Sequence, residues 1–201
     1  MDVKIKICGI SREEDARALN LAMPDFTGFI FYEKSRRNVT PETARALRSM
    51  LDPRIVSVGV FVDAEPSFIA ALYEAGIISV AQLHGAETEE DIAALRARCP
   101  GITIWKAFTV ARAEDLAAAE KCSADRILLD SGKGSGELFD HSLLTGFRRE
   151  FMLAGGLTPE NIPALIEKCR PWGVDLSSGV ETNGKKDKSK ILAAVDAARN
   201  I

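Results

Sequence analysis

The chain has 201 residues and a formal net charge of −3, with 46% hydrophobic and 27% charged residues. This length allows one domain with a sizeable core, and the composition is typical of a globular protein. The small net charge gives no electrostatic reason to expect nucleic acid or an anionic membrane as a partner. No run approaches the roughly 18 apolar residues of a membrane-spanning helix, and the N-terminus lacks the pattern of a secretory signal.

The four cysteines and two histidines are too dispersed to indicate a metal site. The cysteines are Cys8, Cys99, Cys122 and Cys169, and none belongs to a CxxC pair. A zinc site would need clustered Cys and His ligands, so we expect no metal. Dispersed thiols without a secretory signal are typical of a reducing compartment, and we expect a cytoplasmic protein.

Short β-branched runs alternate with amphipathic helical segments along the chain. Strands are predicted near residues 3–7, 27–31, 55–61, 77–82, 103–107, 126–130, 151–154 and 174–176. Helices are predicted near residues 13–22, 41–51, 67–74, 89–98, 114–119, 141–147, 159–168 and 188–198. Ser11, Thr40 and Thr158 are predicted helix caps, the last two each followed by proline and glutamate.

Eight strand–helix units predict an α/β fold, a closed (β/α)₈ barrel formed by residues 1–201 as a single domain. At about 25 residues per unit the barrel would be compact compared with the usual size of roughly 250 residues. A doubly wound open sheet is the alternative. In a barrel, functional side chains lie where strands end and loops begin, so the residue that closes each strand is informative.

The loops after the last three strands contain clusters of glycine and serine. Glycine lets backbone N–H groups approach an anion, and barrels often bind phosphate at the loops after strands seven and eight. The predicted phosphate-binding residues are Gly134, Ser135, Gly136, Gly155, Gly156, Ser178 and Gly179. Tight turns without a ligand are the structural alternative.

Two strand ends carry groups suited to proton transfer. Asp130 closes the apolar run "RILLD", where burial would raise its pKa and favour a general acid. Cys8 closes the first strand, and strand alternation places Lys6 on the same face, where an ammonium group would favour the thiolate. An ion pair of Lys6 inside the barrel is the structural alternative. An acid and a base that face a phosphorylated substrate indicate a sugar-phosphate isomerase, with no need for a metal or redox cofactor.

Several motifs resemble the phosphoribosylanthranilate isomerase family, in the family's order. They are "KICGI" at 6–10, "QLHG" at 82–85, "LLDS" at 128–131, "AGGL" at 154–157 and "GVDLSSGVE" at 173–181. The resemblance implies a (β/α)₈ barrel of tryptophan biosynthesis. Such an enzyme converts N-(5-phosphoribosyl)anthranilate to 1-(2-carboxyphenylamino)-1-deoxyribulose 5-phosphate by an Amadori rearrangement, without a cofactor.

The resemblance also implies roles for individual residues. Cys8 would be the general base and Asp130 the general acid, whereas Arg37 of "SRR" would bind the anthranilate carboxylate, with Arg36 as a neighbouring competitor. Asp175 matches a position that contacts polar groups of the substrate, although a structural role is equally compatible with the sequence. His84 lies at the mouth of the fourth strand and either contacts substrate or is a structural histidine.

Two other functions remain open at this point. One is the related phosphoribosyl-amine isomerase of histidine biosynthesis, which is expected to have an aspartate where Cys8 stands. The other is a catalytically silent phosphate-binding barrel. In each case we expect a small phosphorylated ligand, no nucleic acid or membrane partner, and a monomer or homodimer.

Overall fold

A computed structural model of the protein describes residues 3–130, 144 and 147–200. Eight parallel strands pair in chain order, and the eighth pairs with the first to close a barrel. The strands are β1 (Lys4–Cys8), β2 (Phe26–Phe31), β3 (Val56–Phe61), β4 (Val80–Leu83), β5 (Thr103–Thr109), β6 (Arg126–Asp130), β7 (Phe151–Ala154) and β8 (Gly173–Leu176). The closed topology confirms the predicted (β/α)₈ barrel and excludes the open sheet.

The helices form the layer outside the strands. Within the described ranges they are α1 (Glu13–Ala22), α2 (Pro41–Met50), α3 (Pro66–Glu74), α4 (Glu89–Arg98), α5 (Ala113–Lys121), α6 (Ile162–Cys169) and α7 (Lys188–Arg199). The predicted helix at 141–147 lies mostly outside the described residues. No helix in the described part of the chain is both long and apolar enough to cross a membrane.

A short antiparallel hairpin follows β8 and was not predicted from the sequence. After a 3₁₀ turn at Ser178–Val180, strand β9 (Glu181–Thr182) pairs with β10 (Lys185–Lys186) before α7 begins. Two-residue strands are too short to show a periodic pattern, which explains why sequence periodicity missed them.

Helix caps agree with the sequence prediction at one site and differ at two. Thr40 caps α2 as predicted, because its side chain accepts a hydrogen bond from the N–H of Thr43. The prediction that Ser11 caps α1 was wrong, because the Asp15 carboxylate instead accepts the N–H groups of Ser11 and Arg12. The prediction that Thr158 caps the next helix was also wrong. Residues 158–161 form a turn in which the Asn161 side chain accepts the N–H of Thr158, and α6 begins only at Ile162.

Apolar side chains form two separate layers, because the strands of a covered barrel are buried on both faces. The larger cluster lies between strands and helices and includes Ile5 and Ile7 of β1. The smaller cluster fills the barrel interior and contains Val58, Val80, Trp105, Ala107, Leu128, Met152 and Ala154. The alternation along each strand therefore decides which side chains face the barrel axis.

Aromatic rings close the amino-terminal end of the barrel. Phe26 packs edge-on against Trp105 with ring centroids 4.9 Å apart, and Trp172 lies 6.0 Å from Trp105. The Arg126 guanidinium lies 4.6 Å from the ring centroid of Trp172. Because these groups fill the amino-terminal end, space for a ligand remains at the carboxyl ends of the strands.

Candidate active site

A cavity of about 370 Å³ opens at the carboxyl ends of the strands. It gathers predicted site residues that are far apart in the sequence. Those that line it are Cys8, Arg37, His84, Asp130, Gly155, Gly156, Asp175, Ser178 and Gly179. Gly134, Ser135 and Gly136 lie outside the described residues, so their predicted phosphate contacts stay predictions.

Cys8 is the last residue of β1, and its side chain lies beside the backbone of β2. The register places its Cα opposite Gly28, and only 6% of the residue is exposed. A Cβ atom at position 28 would lie 2.6 Å from the Cys8 Sγ and 3.3 Å from the Lys6 Nζ. Glycine at this position therefore leaves the room that the thiol and the ammonium group occupy.

Lys6 forms a buried ion pair inside the barrel. Its Nζ donates to the Asp175 Oδ2 at 2.8 Å, and the Lys6 side chain is fully buried. Burial alone would lower the pKa of Lys6, but the neighbouring Asp175 and Cys8 outweigh it and raise that pKa. Lys6 is therefore a fixed cation that joins β1 to β8 directly below the Cys8 thiol. Asp175 lines the cavity and stabilises the barrel at once.

The Lys6 ammonium does not lower the thiol pKa to the extent that the sequence led us to expect. Burial is the largest influence and raises the pKa of Cys8 above its usual value, although Lys6 acts in the opposite direction. The thiol is therefore mostly protonated at neutral pH.

This arrangement predicts how Cys8 reacts with a small alkylating agent. Because only the thiolate reacts, we expect the rate of Cys8 alkylation by iodoacetamide to rise about tenfold per pH unit between about pH 7 and 9, without levelling off. Quenched samples analysed by peptide mass spectrometry would separate Cys8 from the other three cysteines. A plateau below about pH 8 would show that Lys6 outweighs burial.

Asp130 ends β6 and faces His84 across the cavity. The Asp130 Oδ2 lies 3.4 Å from the His84 Nε2, and Gln82 on β4 lies 3.2 Å from the His84 Nδ1. If the Gln82 amide donates to Nδ1, the neutral imidazole carries its proton on Nε2, towards Asp130. His84 thus lies beside the predicted acid, a contact that sequence reasoning left open.

Arg37 and Arg36 differ clearly in position. Arg37 lines the cavity and its side chain is 20% exposed, whereas the Arg36 side chain is 59% exposed and is not part of the cavity wall. Both arginines donate to Glu181 of the β9–β10 hairpin. Sequence reasoning missed Glu181, although it closes the quoted motif "GVDLSSGVE", because nothing in the sequence shows which residue it pairs with.

The loops after β7 and β8 meet at one end of the cavity. A Cβ atom at Gly179 would lie 1.8 Å from the carbonyl oxygen of Leu157, so the two loops touch only because residue 179 is glycine. In the described part of the chain, the N–H groups of Gly156, Ser178 and Gly179 have no hydrogen-bond acceptor. Backbone N–H groups of this kind suit a phosphate group.

Taken together, the cavity offers a thiol, a carboxyl group, an arginine and a cluster of backbone N–H donors. Among the described residues, no group of three or more His, Cys, Asp and Glu side chains is arranged to hold a metal ion. These groups can move protons on a small molecule that carries a phosphate and a carboxylate. A closed barrel with such groups at its strand ends is typical of (β/α)₈-barrel enzymes that act on phosphorylated metabolites.

Comparison with known proteins gives the family within that class. Residues 5–197 match the family model described as N-(5'-phosphoribosyl)anthranilate (PRA) isomerase, and the chain belongs to this family. It is 42% identical over 197 residues to an N-(5'-phosphoribosyl)anthranilate isomerase of Lacticaseibacillus casei, covering 98% of this chain and 95% of that protein.

Solved structures show the same relationship. The crystal structure of phosphoribosyl anthranilate isomerase from Thermotoga maritima is 39% identical, with a TM-score of 0.90, covering 99% of this chain and 100% of that one. A second structure of such an isomerase, in complex with reduced 1-(o-carboxyphenylamino)-1-deoxyribulose 5-phosphate, is 38% identical with a TM-score of 0.88 and the same coverage.

Proposed function

We propose that the protein converts N-(5-phosphoribosyl)anthranilate to 1-(2-carboxyphenylamino)-1-deoxyribulose 5-phosphate, a step of tryptophan biosynthesis. The observation that carries this proposal is the match to the isomerase family over residues 5–197, joined to a cavity that holds both Cys8 and Asp130. The thiol at position 8 favours this reaction over the histidine-pathway isomerase, for which an aspartate is expected there.

The rearrangement needs one acid and one base. Asp130 donates its proton to the ribose ring oxygen, the C1′–O bond breaks, and the nitrogen lone pair forms a Schiff base at C1′. The thiolate form of Cys8, a minor fraction at neutral pH, then removes the proton from C2′, and the C2′–H electron pair neutralises the Schiff base to give an enolamine. The enolamine tautomerises to the ketone when C1′ takes up a proton and the C2′ hydroxyl loses its proton, so that the C1′–C2′ double bond is replaced by the C2′=O bond. No bond in this sequence requires an external oxidant or reductant.

The two ends of the substrate have separate partners. The anthranilate carboxylate meets the Arg37 guanidinium, whose planar fork matches a carboxylate. The phosphate accepts hydrogen bonds from the N–H groups of the loops after β7 and β8. Residues 134–136 of the loop after β6 contribute further contacts to the phosphate. Asp175 and His84 complete the wall between these two ends.

Arg37 and Arg36 form a matched pair for testing the carboxylate contact. Arg37→Ala should raise the Michaelis constant at least about tenfold, because hydrogen bonds to charged groups contribute roughly 1.5–3 kcal/mol. Arg36→Ala should change it less than about threefold, because Arg36 is outside the cavity wall. Steady-state kinetics of both variants check this. An unchanged constant in Arg37→Ala together with a raised one in Arg36→Ala would transfer the contact to Arg36.

The activity itself is tested with purified protein. N-(5-phosphoribosyl)anthranilate is generated in situ from anthranilate and phosphoribosyl pyrophosphate by the transferase, and the loss of its fluorescence is followed. Rapid loss with the wild-type protein supports the proposal. If the wild-type protein causes no loss, the proposed function is wrong, and turnover of the histidine-pathway substrate separates the related isomerase from a silent barrel.

The proposal extends to how the protein is organised. Residues 1–201 form a single domain, because the barrel strands extend from Lys4 to Leu176 and α7 packs against α1 and β1. We propose that the protein works in the cytoplasm, because dispersed thiols such as Cys8 are typical of a reducing compartment. The choice between monomer and homodimer stays a prediction.

A further inference from the structure

Glu181 is a buried carboxylate surrounded by three cations. Only 5% of its side chain is exposed, and it accepts hydrogen bonds from Arg37, from Arg36 at 2.6 Å and from Lys186 at 2.8 Å. Burial acts to raise the pKa of Glu181, but the bonds from Arg37 and Lys186 outweigh it and lower that pKa to about 2. Glu181 is therefore ionised throughout the neutral range.

Glu181 binds the edge of the Arg37 guanidinium that is formed by Nε and Nη2. The Arg37 Nε donates to Oε1 at 2.6 Å and Nη2 donates to Oε2 at 2.9 Å, a side-on bidentate pair. Within the described residues, the Arg37 Nη1 has no acceptor. The guanidinium is thus fixed in orientation, and the edge formed by Nη1 and Nη2 remains for a second carboxylate.

The β9–β10 hairpin carries the residues that fix Glu181. Its antiparallel register pairs Glu181 directly with Lys186. The Lys186 Nζ also donates to the Ser177 carbonyl oxygen at 2.8 Å, and the Ser177 Oγ donates to the Cys8 carbonyl oxygen at 3.1 Å. A continuous set of polar contacts therefore connects Arg37 to the backbone that carries the Cys8 thiol.

Among the residues that the structure describes, the charges of this cluster do not balance. One carboxylate, that of Glu181, faces Arg36, Arg37 and Lys186, so the cluster has an excess of positive charge. A substrate carboxylate at the open edge of Arg37 would reduce this excess. Without Glu181, the arginine would lose its fixed orientation.

We propose that Glu181 is a positioning residue for substrate selection: it presents Arg37 end-on to the aromatic carboxylate, while Lys186 holds Glu181 in place. This inference rests on the proposed function and adds a residue that determines its specificity. Glu181 acts through Arg37 and does not touch the reacting atoms.

The test compares two stable ligands in the same variant, so that a general loss of folding cannot imitate the result. One ligand is reduced 1-(o-carboxyphenylamino)-1-deoxyribulose 5-phosphate, and the other is the same molecule without the carboxyl group. Inhibition constants are measured for the wild type, Glu181→Gln, Glu181→Asp, Arg37→Ala and the double variant that combines Arg37→Ala with Glu181→Gln. Asp187→Asn is the control, because Asp187 contacts Thr182 in the same hairpin and caps α7 without touching Arg37.

We expect both Glu181 variants to bind the carboxylated ligand at least about fivefold more weakly and the ligand without the carboxyl group within about twofold of the wild type. The KM should rise more than kcat falls, and Asp187→Asn should discriminate between the ligands as the wild type does. In the Arg37→Ala background, adding Glu181→Gln should change discrimination no further.

Two results would overturn the inference. Equal weakening of both ligands would show that Glu181 only maintains the cavity, and tighter binding of the carboxylated ligand would show that Glu181 competes with it. A failure of the proposed function is distinguishable, because the wild type would then lack turnover or would not discriminate between the two ligands.

Discussion

Replacing Cys8 with serine is expected to lower kcat about 10²–10⁴-fold, the range that a general base contributes. A serine hydroxyl has a far higher pKa than a thiol and cannot accept the C2′ proton at neutral pH. Serine is slightly smaller than cysteine, so it fits beside Gly28 without a clash. The Michaelis constant should stay within about threefold of the wild type, because the carboxylate and phosphate partners of the substrate are unchanged.

Cys169→Ser is the matched control for this result. Cys169 is a half-buried thiol at the end of α6 and is not part of the cavity wall, so its substitution should leave kcat unchanged. The kinetics are followed through the loss of substrate fluorescence in parallel samples. If Cys8→Ser kept more than about a tenth of the wild-type kcat, another group would be the base.

Replacing Asp130 with asparagine should reduce kcat by a similar factor of about 10²–10⁴. The amide has nearly the shape of the carboxyl group, but it cannot deliver a proton to the ring oxygen. Because ring opening precedes removal of the C2′ proton, loss of the acid blocks the reaction at its first step. The cavity keeps its shape, since the Asp130 backbone still pairs with β5 and β7.

The control for Asp130→Asn is a carboxylate of similar exposure outside the cavity wall. Asp52→Asn removes an ion pair with Arg54 far from the cavity wall and should leave kcat unchanged. Near-normal turnover of Asp130→Asn would show that a different group, such as His84, supplies the proton.

The sequence identified two residues that close strands, and the structure places both in one cavity, whereas their catalytic roles stay predictions. Cys8 and Asp130 each close an apolar run, and in a barrel all such ends converge on one rim, so pattern and topology together placed them in one cavity. The errors at Ser11 and Thr158 have a local cause. Asp15 and Asn161, four and three residues further on, accept the N–H groups of Ser11 and Thr158 themselves, and the helices begin at Glu13 and Ile162.

The sequence by itself determined the (β/α)₈ barrel, the family resemblance and the residues that close its strands, because these depend on local periodicity and on motifs read along the chain. Only the tertiary structure distinguished Arg37 from Arg36 and paired Glu181 with Lys186, because these contacts join segments that are distant in sequence or lie in strands too short to show a pattern. The tertiary structure also decided that the pKa of Cys8 is raised. The loss of hydration on burial depends on all the groups packed around the thiol, and its effect exceeds that of Lys6, the one charged neighbour that the strand pattern predicted.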